Sequence, residues 1–373
     1  MKHYWLKLNH IAYLYLLSKI IFLFNSELMH DLMTIIGEYI GKIGFLRKTL
    51  SFLFNVKSPI LKQKIKGIVF ENPIGLAAGF DYQAKLTQIL PSVGFGFETI
   101  GTITNLPYEG NQKPRLARLV KSKSLMVNKG FKNQGINEVS RKLRNYTFDM
   151  PVGISIGQTN STILSQKSAV EDIIKAFKKA ESANLKIKYY ELNISCPNLN
   201  NKVTFYDPFK LDILLKAVKK LNIRKPIFIK MPIDKKDSEI LRMLKVIYRN
   251  KIDGVIFGNL QKDRKNKELN KKEIAKYPIG NFSGRPTFEA SNHLISLTYK
   301  NYKDKLIIVG CGGIFNADDA YRKIKLGATL VQFITGLIFE GPILAASINS
   351  DLIILLKKDG YKNISQVIGK DIY

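Results

Sequence analysis

Cys196 is one of only two cysteines in the chain, and amides flank it in the run Asn193-Ile194-Ser195-Cys196-Pro197-Asn198. A thiol between two amides can exchange a proton beside a ring that needs hydrogen-bond donors and acceptors. Taken alone, the same residue reads equally well as a small buried side chain closing a strand. Lys230 stands in an otherwise apolar run, Ile227-Phe228-Ile229-Lys230-Met231. A lysine there is costly unless it meets an anion or a polar ligand, the alternative being a side chain that snorkels to the surface. Glycine-rich turns follow three further apolar runs: Gly75-Leu76-Ala77-Ala78-Gly79, Gly310-Cys311-Gly312-Gly313-Ile314 and Thr335-Gly336. Small residues let a flat ligand approach the backbone, and free glycine amides can hold a phosphate. Cys311, inside the second turn, reads as a packing residue.

The elements that position these groups follow from the pattern of apolar runs. Short runs at Ile74–Ala78, Glu98–Thr102, Val152–Ile156, Tyr189–Ile194, Ile227–Met231, Gly254–Phe257, Leu306–Val309 and Leu330–Phe333 read as strands. Helical patterns lie between them, for example at Ala169–Ala183, Leu211–Leu221 and Ser238–Arg249, and the chain closes on another near Pro342–Lys357. Strand-then-helix units repeated in this way predict the α/β class, as a (β/α)8 TIM barrel with an N-terminal helical extension. A doubly wound sheet is the alternative, but no Gly-x-Gly-x-x-Gly follows an early strand. In a barrel the residues just past the strands share one face, where chemistry is done. Cys196, Lys230 and all three glycine turns then point to a flat, phosphate-bearing cofactor.

The chain has 373 residues, 45% hydrophobic, with 59 Lys+Arg against 30 Asp+Glu and a formal charge of +29. That excess favours a polyanion such as an anionic membrane surface, or else is spread over solvated lysine-rich helix faces. No arginine-rich tract or aromatic RNA-binding signature argues for nucleic acid. Two cysteines suggest a reducing compartment, and the four histidines show no metal-ligand spacing. Residues 11–24 are apolar but interrupted by Ser18 and Lys19, too short a run to span a bilayer and lacking a cleavage site after it, so the segment should be retained. Glu27 to Lys42 and Phe45 to Phe54 read as two basic amphipathic helices suited to a membrane interface, or else to the barrel's own surface. The expected division is residues 1–56 as the helical extension and 57–373 as the barrel.

Taken together, Asn72-Pro73-Ile74-Gly75-Leu76-Ala77-Ala78-Gly79, Ile100-Gly101-Thr102, Lys113-Pro114-Arg115, the Asn193–Asn198 run, Ser283-Gly284-Arg285-Pro286 and Gly312-Gly313-Ile314 resemble the dihydroorotate dehydrogenase family. The extension ahead of the barrel resembles the membrane-associated, quinone-using class 2. The resemblance implies FMN contacted by Ala78, Gly79, Thr102, Ser155, Asn193, Lys230, Gly258, Gly284, Gly312, Gly313, Thr335 and Gly336. It implies substrate contacts from Asn128, Lys129, Gly130, Phe131, Asn193, Asn198 and Asn259, with Cys196 at the position of the base. Dihydroorotate, orotate and a quinone would be the partners, on the cytoplasmic face of the inner membrane.

Several residues depart from that family's pattern. Cysteine at the base position is typical of class 1, where class 2 has serine; with a reference pKa of about 8.5 a thiol is the easier base near neutrality. Tyr82 stands where the family has a lysine, Asn128 comes one place late, Ser155 replaces an asparagine, and Gly258 and Leu260 replace threonines. Ile334 replaces a tyrosine. Lys129 is the candidate to replace the missing cation. Readings that compete are a class 1 enzyme using fumarate or NAD, a tRNA dihydrouridine synthase with the same Asn-x-x-Cys-Pro setting, and a membrane-attached flavoprotein without turnover.

Overall fold

The computed structural model describes residues 2–161, 165–200 and 203–372. Eight parallel strands close into a barrel: β1 (Ile74–Leu76), β2 (Phe97–Ile103), β3 (Val152–Ile156), β4 (Tyr189–Asn193), β5 (Ile227–Lys230), β6 (Gly254–Phe257), β7 (Ile307–Cys311) and β8 (Leu330–Phe333). Each pairs with the next, and β8 returns to β1 with Val331 opposite Ile74 and Phe333 opposite Leu76. All eight runs expected to be strands are strands, within one or two residues at each end.

Alternation along the strands sets the barrel's layers. Phe97, Tyr189, Phe228, Ile256, Val309 and Leu330 form an apolar interior cluster. Gly75 and Gly153 leave room for two of its rings: a Cβ on Gly75 would fall 2.3 Å from Phe97, and one on Gly153 2.2 Å from Tyr189. The Tyr189 hydroxyl donates to the Glu98 carbonyl at 2.8 Å, so the largest polar group of this layer is satisfied. Two residues further along β3, β4 and β5 the same faces carry Ser155, Glu191 and Lys230, and the interior turns polar towards the carboxyl ends of the strands.

An antiparallel sheet of Leu116–Leu119, Ser124–Val127 and Asn281–Phe282, absent from the sequence expectation, lies at the mouth. Another antiparallel feature precedes β1, the hairpin of Gln63–Ile65 with Ile68–Phe70.

The N-terminal extension is helical from Lys2 to Ile21, with a π-helical stretch at Tyr13–Leu17, then at Ser26–Lys42 and Gly44–Phe54. Asn25 caps the Ser26–Lys42 helix by accepting from the Glu27 and Leu28 amides. The extension packs on the barrel: Leu6 is buried with Ile343 and Ala346, and Tyr13 donates to the Ile338 carbonyl at 2.7 Å. Its other face leaves Trp5, Leu16, Leu23, Leu32, Phe45 and Phe52 exposed. Its apolar residues are therefore divided, some packed on the barrel and others facing outward. Among the described residues no helix is long and apolar enough to cross a membrane.

Candidate active site

The carboxyl ends of the strands surround one cavity of about 1150 Å³, counting its opening to solvent. Cys196, Lys230, Asn193, Thr102 and the Gly312–Gly313 turn all line it, although they are spread over more than 200 positions of sequence. Of the other candidates, Ala78, Gly79, Lys129, Gly130, Phe131, Asn198, Gly258, Asn259, Gly284, Thr335 and Gly336 line it too.

Two candidates do not. Ser155 lies one layer below, wholly buried, where its hydroxyl donates to Glu191 Oε1 at 2.6 Å and meets Thr102 Oγ1 at 2.9 Å. It can support the Thr102 and Asn193 side chains from beneath but does not face the cavity. Asn128 turns away from it, and its Oδ1 accepts from Asn111 Nδ2 at 3.0 Å. A shift of one place in the chain has moved this amide out of the cavity, and Lys129 faces in.

The polar wall is a connected network. Asn193 Nδ2 donates to Thr102 Oγ1 at 2.8 Å, while its Oδ1 accepts from the Ser195 amide at 3.2 Å. Asn259 Nδ2 donates to Ser195 Oγ at 2.7 Å. Asn198 Nδ2 donates to the Val127 carbonyl at 3.0 Å, and Asn281 Nδ2 donates to Asn198 Oδ1 at 2.6 Å. These bonds tie the loop after β4 to the sheet at the mouth and fix the faces of three amides. Lys230 is 4% exposed, with Nζ 3.5 Å from the Ala78 carbonyl and 3.8 Å from Glu191 Oε1. Its ammonium therefore sits at the cavity floor with a carboxylate behind it, and Glu191 Oε2 is buried without a partner of its own.

Cys196 is partly exposed to this cavity. Burial pushes its thiol up to about 12, against the opposing pull of the Asn198 amide, Lys230 and Lys262. The expectation of an easily ionised thiol is thus corrected: desolvation outweighs two cations. Cys311 is buried in the barrel interior, with its thiol also pushed up by burial, as suits packing.

The glycine turns are built for close approach. Gly312 and Gly313 adopt φ of +104° and +72°, and a Cβ on either would meet Thr287 or Phe288 at 2.5 Å. Gly284, at φ +81°, would place a Cβ 2.4 Å from the Lys123 carbonyl. Behind them Arg285 pairs with Asp319 at 3.1 and 3.2 Å, and Ser283 Oγ meets Thr335 Oγ1 at 2.8 Å.

The opposite wall comes from the extension, the β1 loop, the sheet at the mouth and the segment after β8, and of its residues the sequence reading had marked Tyr82 and Ile334 but not His30. His30 lines the cavity, its Nε2 2.8 Å from the Phe80 carbonyl and its ring stacked on Tyr82 at 5.5 Å. Burial lowers its pKa, so it is neutral at pH 7. Leu116, Leu125, Ile334 and Ile338 make this side apolar, and all four belong to the cluster that includes Phe22 of the extension. The signal was present in the amphipathic pattern, since His30 falls on the helix face that carries buried Glu27 and Thr34.

Residues 60–356 match the dihydroorotate dehydrogenase family profile. The chain belongs to the dihydroorotate dehydrogenase family. It is 33% identical over 360 residues to a dihydroorotate dehydrogenase (quinone) of Nitratiruptor sp., covering 95% of this chain and 98% of that one. A dihydroorotate dehydrogenase (quinone) of Sulfurovum sp. is 35% identical over 367 residues, covering 95% and 97%. Among solved structures, the DHODH of Eimeria tenella in complex with ferulenol superposes with a TM-score of 0.81 at 28% identity, covering 93% of this chain and 95% of that one. Since the curated dihydroorotate dehydrogenases match almost end to end, the likeness includes the helical extension as well as the barrel.

Proposed function

We propose that this chain oxidises dihydroorotate to orotate in pyrimidine biosynthesis, with FMN as its cofactor and a quinone as electron acceptor. The single observation that carries the reading is the shared cavity: a thiol, a buried lysine and the phosphate-sized glycine turns face one space. Its walls fit a flavin phosphate. The positive-φ glycines Gly312 and Gly313 keep side chains out of the turn, and Gly284 does the same beside Thr335. Lys230 and Asn193 suit the polar edge of the ring system, and Lys230 would stabilise negative charge there. When bound, the flavin supplies a two-electron acceptor for the substrate's C6 hydride.

The chain's own residues do the remainder. Asn193, Asn198 and Asn259 offer amide donors and acceptors to the pyrimidine ring. Cys196 Sγ takes the C5 proton as the C6 hydride departs, so that the C5–C6 double bond of orotate forms. The Asn198 amide and the ammonium groups of Lys230 and Lys262 favour the thiolate this step requires. On the other side, the apolar wall of Leu116, Leu125, Ile334 and Ile338 beside neutral His30 gives a hydrophobic quinone a path to the cofactor. The outward apolar residues of the extension, interspersed with Lys7, Lys19 and Lys48, suit a peripheral seat on an anionic membrane, which we place at the cytoplasmic face of the inner membrane.

Purified protein, denatured to release its flavin, should yield FMN. With dihydroorotate as donor, the holoenzyme should turn over with a short-chain quinone at least about tenfold faster than with fumarate or NAD, a margin of roughly 1.4 kcal/mol in barrier. Equal or faster turnover with fumarate or NAD would move the chain to class 1 chemistry.

A further inference from the structure

Behind the Gly312–Gly313 turn lies another buried lysine, which the reaction described above does not use. Lys323, on the helix Ala317–Lys325, is wholly buried and does not line the cavity. Its Nζ donates to Asn292 Oδ1 at 2.8 Å and to Ser291 Oγ at 3.0 Å, and Ser291 Oγ in turn donates to the Phe257 carbonyl at 3.2 Å. These acceptors are neutral. The carboxylates that attract Lys323 are committed elsewhere. Asp319 pairs with Arg285 at 3.1 and 3.2 Å and accepts from the Phe315 amide at 2.9 Å, while Glu289 faces Arg322 at 3.4 Å.

The ring of Phe288 gathers these cations. Lys323 Nζ lies 4.7 Å from its centroid, Arg285 Cζ 5.0 Å and Arg322 Cζ 5.5 Å. The same residue packs against the glycine turn, since a Cβ on Gly313 would fall 2.5 Å from Phe288 Cβ. Three cations and two carboxylates thus surround a side chain seated under the turn, and Lys323 carries the charge left over. Burial lowers it to about 7, against the attraction of Asp319, Glu289 and Cys311 and together with the repulsion of Arg322. Cys311 supplies no anion near neutrality, because burial raises its thiol. A buried charge in such a setting is stable only when an anion completes it.

We propose that Lys323 is a positioning residue for the flavin phosphate: one ring removed from the Gly312–Gly313 turn, it makes the site prefer a phosphorylated flavin and takes up a proton from solvent when that phosphate arrives. The assignment rests on the cofactor reading given above. A dianion in the turn favours the charged lysine, and by linkage the charged lysine favours the dianion. The turn's amides meet the phosphate oxygens, whereas Lys323 acts through its field from a wholly buried position, where screening is weak. The sign is fixed by the lysine. It is charged with or without phosphate at low pH and neutral in both cases at high pH, so the preference is full below pH 7 and fades above it.

The test titrates the full-length chain, freed of flavin, with FMN and with riboflavin, which has the same ring system and no phosphate, followed by flavin fluorescence. A phosphate monoester has a second pKa of about 6, so between pH 7 and 9 FMN stays a dianion. Over that interval the ratio of FMN to riboflavin affinity should fall about tenfold in the wild type, the scale of one charge interaction at an effective dielectric of about 20. Lys323→Gln keeps a donor for Ser291 and Asn292 without the charge, and Lys323→Met removes both. Each should show the low ratio already at pH 7 and no dependence on pH. A wild-type ratio that does not change with pH overturns the assignment even if neither variant folds. So do variants that keep the wild-type ratio or its pH dependence. Wild-type chain that binds neither flavin overturns the cofactor reading and the assignment with it.

Discussion

Flavin reduction by dihydroorotate falls by about 10²- to 10⁴-fold in Cys196→Ala, the usual contribution of a positioned general base, while the flavin stays bound. Cys196 sits on the loop after β4, whereas the phosphate turns follow β7 and β8 and Lys230 ends β5. Removing one thiol leaves all of those contacts in place. The side chain is small and partly exposed, so the fold should tolerate its loss with little change in thermal stability. Cys196→Ser should retain part of the activity, since a hydroxyl at the same position can still accept the proton from within the same amide network. Single-turnover reduction measured under anaerobic conditions separates this step from quinone chemistry. Unchanged reduction in Cys196→Ala would remove the thiol from the mechanism.

The second large effect is on pH dependence, and its sign follows from burial. The base must be deprotonated to work, and desolvation raises the thiol to about 12. At neutral pH nearly all of it is therefore protonated, and the thiolate fraction rises about tenfold per pH unit. With saturating dihydroorotate, the flavin reduction rate should climb about 100-fold between pH 7 and 9 without levelling off. Affinity should move the opposite way. Burial lowers the ammonium of Lys129, the candidate for the missing cation, to about 8, against the attraction of Glu27 and Asp31, and it loses charge as pH rises through that value. The Michaelis constant for dihydroorotate should accordingly increase above pH 8 while the limiting rate still grows. Bound carboxylate would delay the loss of charge in the complex, so the effect belongs to the free enzyme. A plateau of the limiting rate below pH 8 would show a thiol far more acidic than its surroundings imply.

The barrel was readable because most of its strands are short, local, largely apolar runs, buried on both faces. Lys230 could be singled out for the same reason, as a charge that breaks such a run. What escaped notice depends on partners far away in the chain. The sheet at the mouth pairs Val127 with Asn281, more than 150 positions on, and neither segment is long enough to declare itself. Glu191 was within reach of period-two reasoning, since it lies two residues before Asn193 on the same strand face. The turn away of Asn128 and the burial of Ser155 show the limit of transferring residues by motif: one place along a loop, or one layer down a barrel, changes what a side chain faces. The Cys196 thiol shows another limit, because its acidity depends on desolvation by atoms that no local pattern reveals. The wall formed by His30, Tyr82 and Lys129 needed the extension to be docked before its charges could be counted.

One reaction in one cavity underlies every role assigned above, and anaerobic mixing of the purified, quinone-free protein with dihydroorotate tests it directly. The flavin absorbance should bleach with one equivalent of dihydroorotate per flavin, yield orotate, and return when a quinone is added. A flavin that stays oxidised in excess dihydroorotate would contradict it, whatever else the protein binds.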